Sequence, residues 1–134
     1  MGIIEYKLSL MRKEPELDFF LKEIAQYDPV IYGGFVRDLL SGKEPSDLDI
    51  VLLKSPDTIS FISPPAFNKF GGIRFNIAGV DIDLWRIQDT KWIKEFDLEP
   101  NLWNLFKHTN LDCNKIVYFI NSGLIVRDTD LQWM

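Results

Sequence analysis

The sequence is poor in the residues that build disulfides and histidine metal centres, and it has no surplus of positive charge. It contains one cysteine, Cys113, and one histidine, His108, in 134 residues. A lone cysteine excludes a disulfide within the chain and fits a reducing cytoplasm, and a lone histidine excludes a histidine metal cluster. The 20 acidic residues outnumber the 15 basic ones, for a net charge of -5. Since proteins that grip long nucleic acids present a basic face, we do not expect this chain to bind one alone.

Long apolar segments are also missing. No run approaches the ~20 residues of a membrane span, and no basic segment followed by an apolar one opens the chain, so we expect neither a membrane protein nor a secretory leader. Hydrophobic residues nevertheless make up 46% of the sequence, with 10 Phe and 4 Trp. This composition favours a packed core, and the length predicts a single domain over residues 1–134.

Apolar periodicity predicts an α+β fold, a sheet with helices packed against it. The predicted helices cover residues 15–27, 35–41, 90–96 and a segment opened by Pro100. The predicted strands cover residues 29–32, 48–53, 73–77, 80–85, 115–120 and 124–126, the last four as two hairpins. Residues 1–6 are predicted to form a first strand or an extended arm.

Two acidic pairs dominate the chemistry that this sequence offers. Asp47 and Asp49 are separated by one residue on a predicted strand, so both side chains project from one face. Asp81 and Asp83 repeat that spacing on a later strand. Such a pair is often a solvated strand edge, but four carboxylates from two apolar strands also suit a hard divalent cation, which prefers oxygen ligands.

A diglycine, Gly33-Gly34, follows the first predicted strand and precedes a short helix. It is either a simple tight turn or a place where the backbone approaches a phosphate closely, with amide groups as donors. Arg37, in that helix, either contacts phosphate or braces the helix by pairing with a carboxylate such as Asp38, and we favour the brace.

These residues together resemble a known family signature. The run Gly33-Gly34-Phe35-Val36-Arg37-Asp38-Leu39-Leu40, then Pro45, then Asp47-Leu48-Asp49-Ile50-Val51, is similar to the head domain of tRNA CCA-adding enzymes and bacterial poly(A) polymerases. These belong to the polymerase-β-type nucleotidyltransferase superfamily. The residues 80–86 resemble the strand that carries the third carboxylate of the superfamily, and the residues 114–118 resemble the segment that closes the head domain.

The resemblance implies a mixed sheet, Mg²⁺ (or Mn²⁺) as cofactor and transfer of a nucleoside monophosphate from an NTP, ATP or CTP, to a hydroxyl with release of pyrophosphate. By the same resemblance Asp47 and Asp49 are metal ligands and catalytic residues, with Asp83, preferred over Asp81, as the third. Gly33, Gly34 and Arg37 are the nucleotide-binding residues that it implies. The acceptor, a small molecule, a protein or an RNA end, stays open, as does a protein partner or homodimer.

The sequence departs from the family pattern in one segment. Members carry an Arg-Arg-Asp triplet before the closing segment, used on the ribose and triphosphate, where this chain has His108-Thr109-Asn110. Loss of both guanidinium groups removes bidentate phosphate contacts, and no neck or tRNA-binding body is expected within these residues. Two alternatives therefore accompany the enzyme hypothesis: a catalytically degenerate nucleotide- or metal-binding module that acts through a partner, and a toxin–antitoxin-type nucleotidyltransferase.

Overall fold

The computed structural model of the chain describes residues 2–45, 47–54, 72–107 and 116–127. The helices are α1 Ile3–Met11, α2 Pro15–Ile24, α3 Gly34–Leu40, α4 Lys91–Glu95 and α5 Leu102–Lys107. The strands are β1 Pro29–Tyr32, β2 Asp47–Leu52, β3 Ile73–Ile77, β4 Val80–Arg86, β5 Ile116–Phe119 and β6 Ile125–Arg127. Short 3₁₀ turns follow α2 and β4.

The six strands form one mixed sheet in the order β3-β4-β2-β1-β5-β6. Strands β2 and β4 are parallel, whereas the other four neighbouring pairs are antiparallel. Within the described residues β3 and β6 are therefore the edge strands. The α+β fold with a mixed sheet that the sequence predicted is confirmed.

Helices α1, α2 and α3 cover one face of the sheet, which we call the apolar face. Each helix turns an apolar stripe toward the sheet because its large aliphatic residues recur every three or four positions. The strands contribute alternate residues to the same core. Its members include Leu8, Leu17, Leu21, Ile24, Val36, Leu48, Ile50, Ile82 and Leu84.

Within the described residues, the opposite face of the sheet is covered only in part. A smaller apolar cluster packs α4 and α5 onto this side, formed by Val30, Val51, Ile87, Ile93, Leu105, Phe106 and Val117. Asp47, Asp49, Asp81 and Asp83 share this face by the alternation of β2 and β4. We call this side the acidic face.

The prediction for the first residues is wrong, because residues 3–11 form a helix rather than a strand or an arm. Ile4, Leu8 and Met11 are buried at spacings of four and three, which places them on one stripe of α1. This stripe packs into the core on the apolar face. The segment is therefore helical because a helix buries all three side chains together.

The other predicted elements agree with the structure within a few residues. Ala78-Gly79 joins β3 to β4 with Ile77 opposite Val80, and residues 121–123 lie in the turn between β5 and β6. One detail differs: α5 is capped by Asn101, whose Oδ1 accepts from the Asn104 amide at 2.9 Å, and not opened directly by Pro100. Residues 108–115, with His108, Thr109, Asn110 and Cys113, lie outside the described residues.

None of the helices in the described part of the chain combines the length and the apolar character needed to cross a bilayer.

Candidate active site

The parallel pairing of β2 with β4 brings the two acidic pairs together. Asp47 lies opposite Asp81, and Asp49 lies opposite Asp83. Residues in register on neighbouring strands point to the same face, so four carboxylates form one cluster on the acidic face. We call these four residues the acidic cluster. The cluster stands at the end of the sheet where β2 begins, next to the start of β4.

Asp49 and Asp83 form the inner pair of this cluster. Asp83 is buried, with 8% of its surface exposed. The pKa of Asp49 is raised to about 6, first by burial and then by the negative charges of Asp83 and Asp47 and a hydrogen bond with Asp83, while Arg74 opposes the shift. The causes are desolvation and like-charge repulsion, which both disfavour the ionised form.

Asp47 and Asp81 form the outer pair. Their side chains are 42% and 49% exposed, against 11% for the side chain of Asp83. Asp81 and Asp83 have the same spacing in the sequence, but they differ in how far their side chains are exposed. Asp83 is the enclosed carboxylate that lies beside Asp49, whereas Asp81 lies nearer the solvent.

Two side chains of β3 contact the acidic cluster, and the sequence-based reasoning missed both. Arg74 Nη1 donates to Asp83 Oδ2 at 2.8 Å, and its Nη2 lies 3.7 Å from Asp47 Oδ1 and 3.8 Å from Asp81 Oδ2. Asn76 Nδ2 donates to Asp81 Oδ1 at 2.9 Å. A signal for Arg74 existed, because counting outward from the two-residue turn Ala78-Gly79 places it opposite Asp83.

The diglycine lies at the same end of the sheet. Ile31 is paired with Ile50, so the bend that follows β1 is adjacent to the start of β2, where Asp47 and Asp49 lie. Gly33 has φ 71° and ψ -120°, a conformation that side chains rarely permit. Its amide donates to the Ile116 carbonyl at 3.0 Å, so it is committed to the sheet rather than to a ligand.

Arg37 folds back over the start of α3. Its Nε donates to Asp38 Oδ1 at 3.2 Å, which is the bracing contact favoured from the sequence. A Cβ at Gly34 would lie 3.2 Å from Arg37 Nη2, so the missing side chain at Gly34 leaves room for this guanidinium. The first amides of a helix lack intrahelical acceptors, and at this bend they begin with Gly34.

The acidic cluster fits a divalent cation in chemistry, because carboxylate oxygens are the ligands that Mg²⁺ and Mn²⁺ prefer. As they stand, however, no three acidic, histidine or cysteine side chains in the described residues are placed to hold a metal ion together. The Arg74 guanidinium lies within 4 Å of three of the four carboxylates and supplies positive charge there.

Comparison with solved structures finds CCA-adding enzymes. One in complex with CTP aligns at TM-score 0.59 and 20% identity, over 96% of this chain and 35% of that one. A complex with ATP aligns at TM-score 0.55 and 22% identity, over 94% and 34%. The Thermotoga maritima enzyme complexed with tRNA_CCA aligns at TM-score 0.54 and 20% identity, over 91% and 31%. No family model and no curated protein matches the sequence.

These similarities establish the fold. The chain folds like a part of the CCA-adding enzymes, as the motif resemblance predicted, and it spans about a third of the length of those chains.

Proposed function

We propose that this chain is a divalent-cation-dependent nucleotidyltransferase, which moves a nucleoside monophosphate from an NTP to an acceptor hydroxyl and releases pyrophosphate. One observation carries the proposal: the parallel register that sets Asp47 and Asp49 beside Asp81 and Asp83, next to the diglycine bend. The same fold in enzymes complexed with CTP and with ATP supports it.

Each residue of the site has a role in this proposal. Asp47, Asp49 and Asp83 hold the cation through carboxylate oxygens. Bound Mg²⁺ or Mn²⁺ supplies charge neutralisation for the phosphates and activation of the attacking hydroxyl. The enclosed position of Asp49 and Asp83 strengthens their attraction for a cation, because charges interact more strongly where water is excluded.

The triphosphate lies, in this proposal, along the diglycine bend. The Gly34 amide and those that follow it at the start of α3 donate to phosphate oxygens. Arg37 lies at the same helix start, where its Nε donates to Asp38 Oδ1. Catalysis then rests on orientation of the NTP against the acceptor hydroxyl.

RNA is the first acceptor to examine, since one of the similar structures is a tRNA nucleotidyltransferase complexed with a primer tRNA. The net charge of -5 does not favour tight binding of a large RNA by this chain alone. The acceptors to assay therefore also include an RNA end delivered by a partner, a protein hydroxyl and a small molecule.

The test is transfer of label from [α-³²P]ATP or [α-³²P]CTP, with Mg²⁺ or Mn²⁺, to tRNA, to protein and to small hydroxyl compounds. Asp47→Asn and Asp49→Asn are compared with Asp97→Asn, an exposed residue outside the site whose positive φ suits Asn. Loss of transfer in the first two and full transfer in the control supports the proposal. Equal transfer by all the proteins removes it.

The second candidate is a nucleotide-binding module without catalysis. It is favoured by His108-Thr109-Asn110, which stands where the resemblance implies an Arg-Arg-Asp triplet. Calorimetric binding of the NTP–Mg²⁺ complex without release of pyrophosphate, over the whole acceptor panel, supports this candidate. Release of pyrophosphate with any acceptor excludes it, and label found on a partner protein indicates the toxin–antitoxin type of enzyme.

A further inference from the structure

Arg74 stands on the edge strand β3, opposite Asp83 in the register of the hairpin. One guanidinium reaches three carboxylates there: it donates to Asp83 at 2.8 Å and lies 3.7 Å from Asp47 and 3.8 Å from Asp81. Its side chain is 47% exposed, so it has room on the solvent side. It is thus both a contact of the acidic cluster and a side chain able to leave it.

The acidic cluster needs positive charge in order to exist. Four carboxylates face one another across β2 and β4, with the inner pair enclosed, and like charges at that range destabilise the fold. Arg74 provides positive charge at the middle of the cluster, and its fork-shaped group can serve several carboxylate oxygens at once. In the metal-free protein the Arg74 guanidinium therefore supplies the positive charge that a metal cation would supply.

A guanidinium and a divalent cation compete for the same carboxylates. Asp83 Oδ2 accepts from Arg74, and the proposed function assigns Asp83 as a cation ligand. Two positive groups on one carboxylate also repel each other. Binding of a cation at Asp83 therefore weakens this ion pair and favours release of the guanidinium.

We propose that Arg74 is an exchangeable counter-cation: it offsets part of the negative charge of the acidic cluster in the metal-free protein, yields the carboxylates to a divalent cation, and then binds the phosphates of the nucleotide. The inference rests on the proposed function and adds a residue to it. Phosphate oxygens that share the cation with these carboxylates would lie at the acidic cluster, where Arg74 is within 4 Å of three of the acids, and Arg binds phosphate through paired donors. It thereby provides a guanidinium that His108-Thr109-Asn110 does not.

The proposal predicts effects of opposite sign from a single substitution. Arg74→Gln keeps the length of the stem and a hydrogen-bond donor but removes the charge that competes with the cation. By calorimetry with Mn²⁺ alone, we expect the variant to bind about three- to fivefold more tightly than the wild type, the upper part of the range for loss of partly exposed ion pairs. With α,β-methylene-ATP and saturating Mg²⁺, we expect nucleotide binding to weaken by a similar factor.

Two further variants control this experiment. Asn76→Ala removes a neutral neighbour on the same strand and face, which contacts Asp81, and both affinities should stay within about twofold of the wild type. Arg74→Lys retains the charge and should keep Mn²⁺ affinity close to the wild type while nucleotide binding weakens, because the fork is lost. If Arg74→Gln does not fold, Arg74→Lys still tests the phosphate contact, because its nucleotide affinity should fall while its Mn²⁺ affinity stays close to that of the wild type.

The outcomes separate this inference from the proposed function. Weaker or unchanged Mn²⁺ binding in Arg74→Gln overturns the exchange even if the wild type transfers nucleotides. Unchanged nucleotide affinity in Arg74→Gln, or in Arg74→Lys, overturns the phosphate contact. Tighter Mn²⁺ binding with weaker nucleotide binding supports the inference, and it does so even where no acceptor yields transfer, a result that counts against the proposed function alone.

Discussion

The two faces of the strand pair β2 and β4 differ sharply although the same two short segments build both. On the apolar face, Leu48, Ile50, Ile82 and Leu84 are almost fully buried beneath helices α1 to α3. On the acidic face the alternate residues are the four acids of the cluster. Because side chains alternate along a strand, a single pair of strands is at once the centre of the core and the base of the site.

This comparison teaches how repelling groups are held in place. Burial of aliphatic side chains stabilises the fold, whereas the desolvated charge of Asp49 opposes it, as its pKa of about 6 indicates. The parallel register is fixed by the apolar face, since a slip of one residue would turn the aliphatic residues to the solvent. The stability that the apolar face provides thus offsets the cost of holding repelling carboxylates together on the acidic face.

The largest effect should come from Asp83→Asn on the acidic face. The enclosed carboxylate is assigned to the cation, so we expect nucleotide transfer to fall by about a thousandfold, on the order of 4 kcal/mol of transition-state stabilisation. Asp81→Asn, at the more exposed position with the same spacing, should lose less than about tenfold, which is about 1.4 kcal/mol. Transfer rates at saturating NTP and metal measure both, and a reversed ranking would make Asp81 the third ligand.

Truncation on the apolar face should act on stability instead. Leu84→Ala empties a fully buried position opposite Ile50 of β2 on one side and Ile73 of β3 on the other, and it should cost about 2–5 kcal/mol in the free energy of unfolding. Urea denaturation measures the change. A loss below about 1 kcal/mol would mean that the apolar face is not the source of stability.

Asp49→Asn should stabilise the metal-free protein, because it removes a desolvated charge from the acidic face and leaves the apolar face unchanged. Between about pH 4 and pH 6 folded Asp49 holds a proton that the unfolded chain releases, because its pKa rises from 3.8 to about 6. The free energy of unfolding of the wild type therefore falls as the pH rises through that window. Asp49→Asn removes this fall and should be about 1–3 kcal/mol more stable at pH 7.5 and no more stable at pH 4.

Urea denaturation in EDTA across this pH range gives the comparison, with Asp97→Asn as the exposed control. Parallel stability curves for the wild type and Asp49→Asn would show that Asp49 does not carry the strain of the acidic face.

The smallest effect is expected at the bend that joins the two faces. Gly33→Ala places a Cβ at positive φ and should cost about 1–2 kcal/mol of stability. Gly42→Ala, at φ 76° with open space around it, should cost a similar amount. Only Gly33→Ala should also weaken binding of α,β-methylene-ATP with Mg²⁺, as calorimetry would report. Equal nucleotide affinity in the two variants would separate the bend from the phosphate site.

The local pattern of the sequence predicted the elements that bear the site. Alternation around Ala78-Gly79 predicted the β3–β4 hairpin, and the apolar run before Gly33-Gly34 predicted β1 and its bend. These features depend on neighbours in the sequence, so they are visible without the fold. The spacing of Asp47 with Asp49, and of Asp81 with Asp83, likewise placed each pair on one face.

Long-range features could not be predicted in the same way. The parallel pairing of β2 with β4 joins residues that are 34 positions apart in the sequence, such as Asp47 and Asp81, and nothing local specifies its register. Helix α1 was missed because its apolar stripe is short and becomes decisive only when Ile4, Leu8 and Met11 meet the sheet. Arg74 was missed because its partners are on three different positions of two other strands, although the hairpin register alone indicates Asp83.

The most direct measurement of the central claim is crystallographic. Crystals soaked with α,β-methylene-ATP and Mn²⁺, with data collected where manganese scatters anomalously, would locate the cation by element. The account predicts an anomalous peak bound by the carboxylates of Asp47, Asp49 and Asp83, with the Arg74 guanidinium moved off Asp83 and onto the phosphates. Manganese bound elsewhere, or nucleotide and metal bound with the Arg74–Asp83 ion pair intact at 2.8 Å, would contradict it.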